Sequence, residues 1–394
     1  MFVRLLTAAL SATVAHAHLA PWNKGMYGFN GVSGSINYNT DDVVHPLYQL
    51  SKSDWWFHHY NNIDQFPPAE GDFLELPAGE SFTVEIASNR GETSFSFDGK
   101  YASDWPDGQT YPEDYNVPTC ITSPNMHTQN ETRAAGTAFA ISYTSDITKV
   151  TEENLAVFTV RYHTPWKRLT SYDVPADMPA CPEGGCICAW GWVPNGCGQP
   201  NLYNIPYRCM VTGAKSTTAV GAAKPPVWCQ NNPDGCTKGP KQLIYWNQLD
   251  GNNIEVDGMD ADNEPKSPAY NDKCGFPDGA QNDIFTGGSS GSSASSGSSN
   301  SGSSNSGPSN SGSSNSNSST TSVDDTKAAT TAAAVDKAKV TTSASGSAPS
   351  STASAKTAAV PTCRARKARR AFAEKRAAVH GGAVIHRRKA GHVF

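Results

Sequence analysis

The stretch from residue 287 to about 360 sets the first limit on what this chain can fold into. It is dominated by Ser, Thr, Gly, Asn and Ala. Such a segment buries too little apolar surface to offset the entropy of ordering its backbone. The folded part is therefore expected at residues 18–286, with 287–362 a low-complexity disordered linker and 363–394 a basic C-terminal tail. That leaves one large domain rather than several. Charge divides at the same point. From residue 287 onward 14 Lys and Arg face 4 Asp and Glu, and before it 17 face 32, so the net −5 hides an acidic domain and a basic tail.

Residues 1–17 read as a secretory signal peptide. Arg4 supplies the positive start, Leu5 to Val14 is a short and mostly apolar run, and Ala15-His16-Ala17 has the small-x-small form that signal peptidase accepts. The run is too short to cross a bilayer, and no other stretch is long and apolar enough. A secreted, extracellular protein without a membrane span is expected. Ten cysteines in such a chain imply disulfides. Nine lie in the folded part and Cys363 in the tail, so one is free or bonded to a distant partner such as Cys363. Zinc at Cys181, Cys186 and Cys188 competes with disulfides there, but an oxidising compartment works against free thiolates.

The folded part reads as short strands with dense turns. Phe82, Val84 and Ile86 alternate with Thr83 and Glu85, as in a half-buried strand. Leu155 to Tyr162 is nearly all apolar or β-branched, and Thr137 to Tyr143 and Tyr207 to Thr212 are further strands. Pro77-Ala78-Gly79, Pro106-Asp107-Gly108, Pro194-Asn195-Gly196 and Pro233-Asp234-Gly235 mark turns. No long segment has the 3.6-residue period. The expected fold is all-β: an antiparallel immunoglobulin-like β-sandwich with long loops.

Cleavage after Ala17 would leave His18 as the first residue. An N-terminal His offers two nitrogens to one metal, its α-amino group and its imidazole Nδ1, and a second His would complete a three-nitrogen brace. Such donors suit copper, which leads the divalent metals in affinity for them. The α-amino group titrates near neutrality and can serve as a neutral donor. The candidate second ligands are His45, His58, His59, His127 and His163. His58 and His59 follow Trp55, Trp56 and Phe57 and read as packing or surface residues. His163 ends an apolar strand and reads as a core histidine. His45 precedes a proline in a loop, and His127 lies in the polar loop SPNMHT. Composition does not choose among them.

The motifs HLAPWNKGMYGFN, DQFPP, LPAGESFTVEIA, VPADMPACPEGGCICAWGW, NLYNIPYRCMVTGA, GPKQLIYWNQLDGNNI and PAYNDKCGFPDGAQNDIF run in order through most of residues 18–285. Together they resemble the fungal lytic polysaccharide monooxygenases, and among them auxiliary-activity family fourteen, the xylan-active type. The linker and tail carry none of the motifs. The resemblance implies one copper ion bound by His18 and by His127, whose loop NMHT matches the family's. It also implies a tyrosine on the copper's axial side, ahead of a disulfide cysteine. Tyr203 and Tyr207 both precede Cys209, and Tyr203 matches better by its distance from that cysteine. By the same resemblance Cys181 pairs with Cys186 and Cys188 with Cys209. Cys229 with Cys236 is plausible, and Cys120, Cys197 and Cys274 are unassigned.

An enzyme of this kind takes electrons from an external small-molecule or protein donor and uses dioxygen or hydrogen peroxide to hydroxylate a carbon at a glycosidic bond, which then breaks. The implied substrate is plant cell-wall polysaccharide, xylan associated with cellulose. No nucleic-acid partner is implied, and a monomer is expected. Trp22, Tyr27, Trp55, Trp56 and Tyr60 are candidate sugar platforms, although burial is the more common fate of such residues. Asn130-Glu131-Thr132 is an N-glycosylation sequon beside His127. The tail is expected either to attract acidic polymers or to be lost at dibasic sites such as Arg369-Arg370. Two other readings compete: a copper-uptake protein with the same brace but no oxygenase activity, and a cell-wall adhesion protein with the tail as its working part. The first lacks the hydrophobic C-terminal tail that a lipid-anchor signal needs, and the second leaves the motif series unexplained.

Overall fold

The computed structural model describes residues 18–121, 123–194, 197, 201–259 and 266–286. All of these fall in one compact unit, residues 1–300. The expected signal peptide, linker and basic tail lie outside the described residues, as do the turn residues Asn195 and Gly196.

The fold is mostly β. Among the described residues nine strands form two sheets: β1 (Ala20–Trp22), β2 (Leu74–Pro77), β3 (Ser81–Ala87), β4 (Thr137–Ser142), β5 (Ala156–Arg161), β6 (Leu169–Asp173), β7 (Cys186–Trp192), β8 (Tyr203–Thr212) and β9 (Gly279–Ala280). The smaller sheet has the order β1-β3-β6 and the larger β2-β8-β7-β4-β5-β9. The expectation of a wholly antiparallel fold needs one correction, because β2 pairs with β8 in parallel, Leu74 opposite Cys209. Of the four strands expected from sequence, β3, β4 and β5 fall within a residue or two of their predicted places. The fourth, β8, begins at Tyr203 rather than Tyr207. The only α-helix among the described residues is the four-residue Lys52–Trp55, in keeping with the missing 3.6-residue period.

The two sheets share one core. Phe82 of β3 lies edge-on to Phe139 of β4 and stacks on Tyr172 of β6, with ring centres 5.1 and 5.6 Å apart. The central strands β4 and β7 are buried along their whole length on both faces. A strand covered on both sides has no polar face to alternate with its apolar one. Long C-terminal loops provide the second cover. At Gly191 in β7 a Cβ would stand 2.3 Å from the Tyr270 hydroxyl, so glycine is needed for that loop to pack. The Tyr270 hydroxyl accepts from the Ile244 N–H at 2.9 Å and ties the covering segments together.

Four disulfides join Cys120 to Cys197, Cys181 to Cys186, Cys188 to Cys209 and Cys229 to Cys236. The two pairs implied by resemblance are present, the Cys229–Cys236 pair forms, and the sulfurs considered for zinc are all in disulfides. Cys274 is the free, buried cysteine among the described residues.

Candidate functional site

β1 and β3 run antiparallel with Ala20 opposite Ala87. His18 therefore sits where β1 enters the small sheet, at the end where β3 leaves it. In the large sheet Trp192 ends β7 opposite Tyr203, the first residue of β8. The loop before β4 carries His127. These termini converge: the His18 ring centre is 6.2 Å from that of His127 and 6.3 Å from that of Tyr203. His45 is close enough to His18 to act on it electrostatically, but its own Nδ1 contacts the Asp42 carbonyl at 3.0 Å.

His127 is held by its surroundings. Its Nδ1 meets the Cys197 carbonyl at 2.8 Å, which makes Nδ1 the protonated nitrogen and leaves the lone pair on Nε2. Nε2 is buried and has no hydrogen-bond partner. The loop closes on itself through Ile121 N–H to the Thr128 carbonyl at 2.8 Å, and the Cys120–Cys197 disulfide fixes it to the segment that supplies the acceptor. His127 has φ of +49°, a left-handed conformation uncommon outside glycine, asparagine and aspartate.

Tyr203 is fully buried, and its hydroxyl also lacks a hydrogen-bond partner. Burial pushes that hydroxyl well above its ordinary pKa of 10, with the Asn201 side chain opposing the rise. Asn201 Oδ1 is itself buried and meets no donor in hydrogen-bond geometry. Trp192 organises the group. Its ring stacks on Tyr203 at 4.5 Å and stands edge-on to His127 at 5.4 Å. Burial lowers His127 and, aided by the nearby His127 and His45, takes His18 down to about 4. Both imidazoles are thus neutral at ordinary pH.

The other sequence candidates make no ring contact with this group. The Tyr207 hydroxyl donates to the Pro21 carbonyl at 2.5 Å. His58 is completely buried and His59 pairs with Asp64 at 2.8 Å, so one packs and the other lies at the surface. His163 is exposed in a turn, which overturns its reading as a core histidine: the strand stops at Arg161, and the chain turns out before reaching it. Of the proposed sugar platforms, Trp22, Tyr27 and Trp55 are buried and Tyr60 is exposed. Asn130 Oδ1 caps a short helical turn by accepting from the Arg133 N–H at 3.2 Å. Sequence reasoning missed Trp192 and Cys197. The Trp-Gly-Trp spacing that puts two tryptophans on one strand face was the available signal for the first; a carbonyl acceptor leaves none for the second.

A family of polysaccharide oxidoreductases has the same sequence character along this chain. The family described as lytic polysaccharide monooxygenase AA14 matches residues 1–388, further than the motifs run. An AA14 family lytic polysaccharide monooxygenase B of Pycnoporus cinnabarinus is 38% identical over 298 residues, covering 72% of this chain and 74% of its own length. A monooxygenase A of that family from Trametes coccinea is 37% identical over 308 residues, covering 74% of this chain and 67% of its own. One from Talaromyces rugulosus is 34% identical, covering 72% and 98%. The chain belongs to the AA14 family of lytic polysaccharide monooxygenases. It is an oxidoreductase, and its substrate class is polysaccharide.

Proposed function

We propose that this protein is a secreted, copper-dependent monooxygenase that cleaves plant cell-wall polysaccharide oxidatively, with xylan associated with cellulose as its target. Its expected frame is the immunoglobulin-like sandwich, and the His18 α-amino group and imidazole, His127 Nε2 and the Tyr203 hydroxyl are the groups that would hold the copper. One observation carries the reading: a buried, unpartnered His127 Nε2 and a buried, unpartnered Tyr203 hydroxyl sit beside the ring of His18.

The residues fit the metal. Two imidazoles that each hold an ion at about 2.0 Å and face one another across it have ring centres roughly 6 Å apart, and His18 and His127 are 6.2 Å apart. Among the described residues no three His, Cys, Asp or Glu side chains gather as a metal site. Two histidines therefore need a donor of another kind, and cleavage between Ala17 and His18 creates one. The neutral imidazoles are ready to donate.

Copper supplies the one-electron chemistry by which an external donor and dioxygen or hydrogen peroxide hydroxylate a carbon at the glycosidic bond. The chain does the rest. The Cys197 carbonyl fixes the His127 tautomer and aims Nε2, a hydrogen bond of the kind that orients metal-bound histidines. Trp192 packs against both His127 and Tyr203 and holds their relative position. Tyr203 keeps its proton at neutral pH and presents a neutral phenol. Glycosylation at Asn130 would leave its capping oxygen in place, because the glycan attaches through the side-chain nitrogen.

The test begins with calorimetric copper titration of the processed protein. His127→Ala, and a form with one extra residue before His18, should each lose orders of magnitude in affinity. An unchanged dissociation constant would remove the altered group from the site. Mass spectrometry of products from xylan-coated cellulose, with and without copper, then decides the substrate.

A further inference from the structure

Five aromatic side chains are largely exposed among the described residues, and three of them stand together: Tyr38, Phe97 and Tyr101. Phe97 lies between the other two, with ring centres 6.3 Å from Tyr38 and 5.5 Å from Tyr101. Phe97 is 46% exposed and has φ of +51°, followed by Asp98 at +53°. A bulky aromatic residue in the left-handed region is strained, and here the strain secures no burial. Such an outlier persists where the surroundings over-determine it, and they do so here. The Arg90 guanidinium lies 4.0 Å from the centre of the Phe29 ring and donates to Asn30 Oδ1 at 2.8 Å and to the Phe95 carbonyl at 3.3 Å. Asn89 Nδ2 donates to the Asn39 carbonyl at 3.0 Å. The loops that carry Tyr38 and Phe97 are thereby tied together.

Phe97 and Tyr101 border a cleft of about 530 Å³, which Asn39, next to Tyr38 in the chain, also lines; its size is within the range of small-ligand sites. Glu92, Asp107, Lys100 and Gln109 line it, so acceptors and donors stand beside apolar ring surface. A pyranose ring needs this combination, because it has hydroxyls around its rim and C–H groups on its faces. Two carboxylates against one ammonium disfavour an acidic sugar. Contacts also link the walls of the cleft to the loops of the candidate site. Residues 88–92 leave β3 at the end where His18 enters β1. Asp107 accepts from the Tyr111 hydroxyl at 2.7 Å, Tyr111 stacks on Tyr115 at 4.4 Å, and the Tyr115 hydroxyl donates to the Ser123 carbonyl at 3.4 Å, within the His127 loop.

We propose that Tyr38, Phe97 and Tyr101 with this cleft form a subsite for a neutral pyranose unit of a polysaccharide chain that reaches toward His18 and His127. The inference rests on the reading of that end as the one that meets substrate.

Retention of the full-length secreted protein on swollen cellulose, with reductant omitted so that nothing turns over, tests it. Phe97→Gly removes the ring and suits the positive φ, so the thermal midpoint should hold or rise while retention falls severalfold. A structural role for the ring would move stability the other way. Tyr101→Ala should weaken retention by a similar factor, and Phe97→Trp should restore it. Wild-type retention by a folded Phe97→Gly/Tyr101→Ala double variant overturns the subsite. Retention on polygalacturonate that the double variant loses, with none lost on cellulose, overturns the neutral class, since the basic tail is the same in both proteins. Copper titration of the same samples separates the two readings. If the wild type binds no copper, the functional proposal fails while the retention series still decides the subsite.

Discussion

Strand β8 carries two fully buried tyrosines four residues apart, and they behave as opposites. Tyr207 gives its hydroxyl to the Pro21 carbonyl at 2.5 Å, joining the large sheet to β1. Near it the strand is clamped by Cys188–Cys209, with Cys181–Cys186 alongside. Tyr203 gives its hydroxyl to no group, stacks on Trp192 and faces His18. Burial raises both hydroxyls well above the ordinary value of 10. Residue type, burial and proton affinity therefore do not tell the two apart. Satisfaction of the polar atom separates these two, because a buried hydroxyl without a partner costs free energy that a folded protein normally avoids. At the Tyr207 end that cost is met by a carbonyl. At the Tyr203 end it goes unmet in the protein alone, which is what the proposed site needs.

The largest expected effect attacks what holds the unsatisfied end in place. Cys120→Ser with Cys197→Ser removes the disulfide that ties the His127 loop to the segment supplying its acceptor carbonyl. Loss of a native disulfide costs about 2–5 kcal/mol. Loss of such an orienting contact weakens metal binding roughly 10- to 100-fold. Chemical denaturation and copper titration should show both losses in the double variant. A variant that is destabilised yet binds copper with wild-type affinity would limit the disulfide to a structural role.

His58 sharpens the comparison from a third position. Both of its ring nitrogens are buried without partners, as at the Tyr203 end, but its ring is in contact with none of the converging rings. Burial, aided slightly by His45, holds its pKa near 3 against an ordinary 6.5. As pH falls, the unfolded chain takes up the proton first. Stability due to neutral His58 is thus complete above about pH 6.5 and erodes toward pH 3, at up to about 1.4 kcal/mol per pH unit. His18 and His127 shift in the same direction, so the readout must be a difference. Unfolding midpoints measured from pH 7 to pH 4 should fall less steeply in His58→Asn, a residue that tolerates the φ of +55° found there. Parallel curves would refute the assignment.

Much of this was legible in the sequence, and the limits have physical causes. β3 and β5 were visible because a half-buried strand alternates and a buried one runs apolar. β7 is not legible as a strand, since burial on both faces leaves CICAWGW without a period. β1, β2, β6 and β9 have two to five residues each, too few for a pattern. The parallel pairing of β2 with β8 depends on partners far apart in the chain, which no local signal records. At the site, His18 followed from a cleavage rule, whereas His127 and Tyr203 needed the family resemblance. His163 was misread because an apolar strand was assumed to carry its burial past its last residue. The Cys120–Cys197 pairing was beyond reach, because nine cysteines allow too many partners.

The smallest expected effect on stability is the most informative about the two tyrosines. Tyr207→Phe deletes a donor and leaves the Pro21 carbonyl without its partner, which costs about 1–3 kcal/mol when the acceptor stays buried. Tyr203→Phe deletes a hydroxyl that has no partner to lose. It keeps the ring that stacks on Trp192 and removes an unpaired polar atom, so unfolding in the metal-free protein should change by less than about 0.5 kcal/mol, or move toward greater stability. If Tyr203 stands on the axial side of a copper ion, the same substitution should alter the Cu(II) electron paramagnetic resonance spectrum with the metal retained, while Tyr207→Phe leaves the spectrum as it was. A metal-free Tyr203→Phe protein destabilised as much as Tyr207→Phe would mean that its hydroxyl is bonded after all, and the contrast between the two ends of β8 would fall. An unchanged spectrum with unchanged stability would leave Tyr203 as packing alone and take it out of the proposed site.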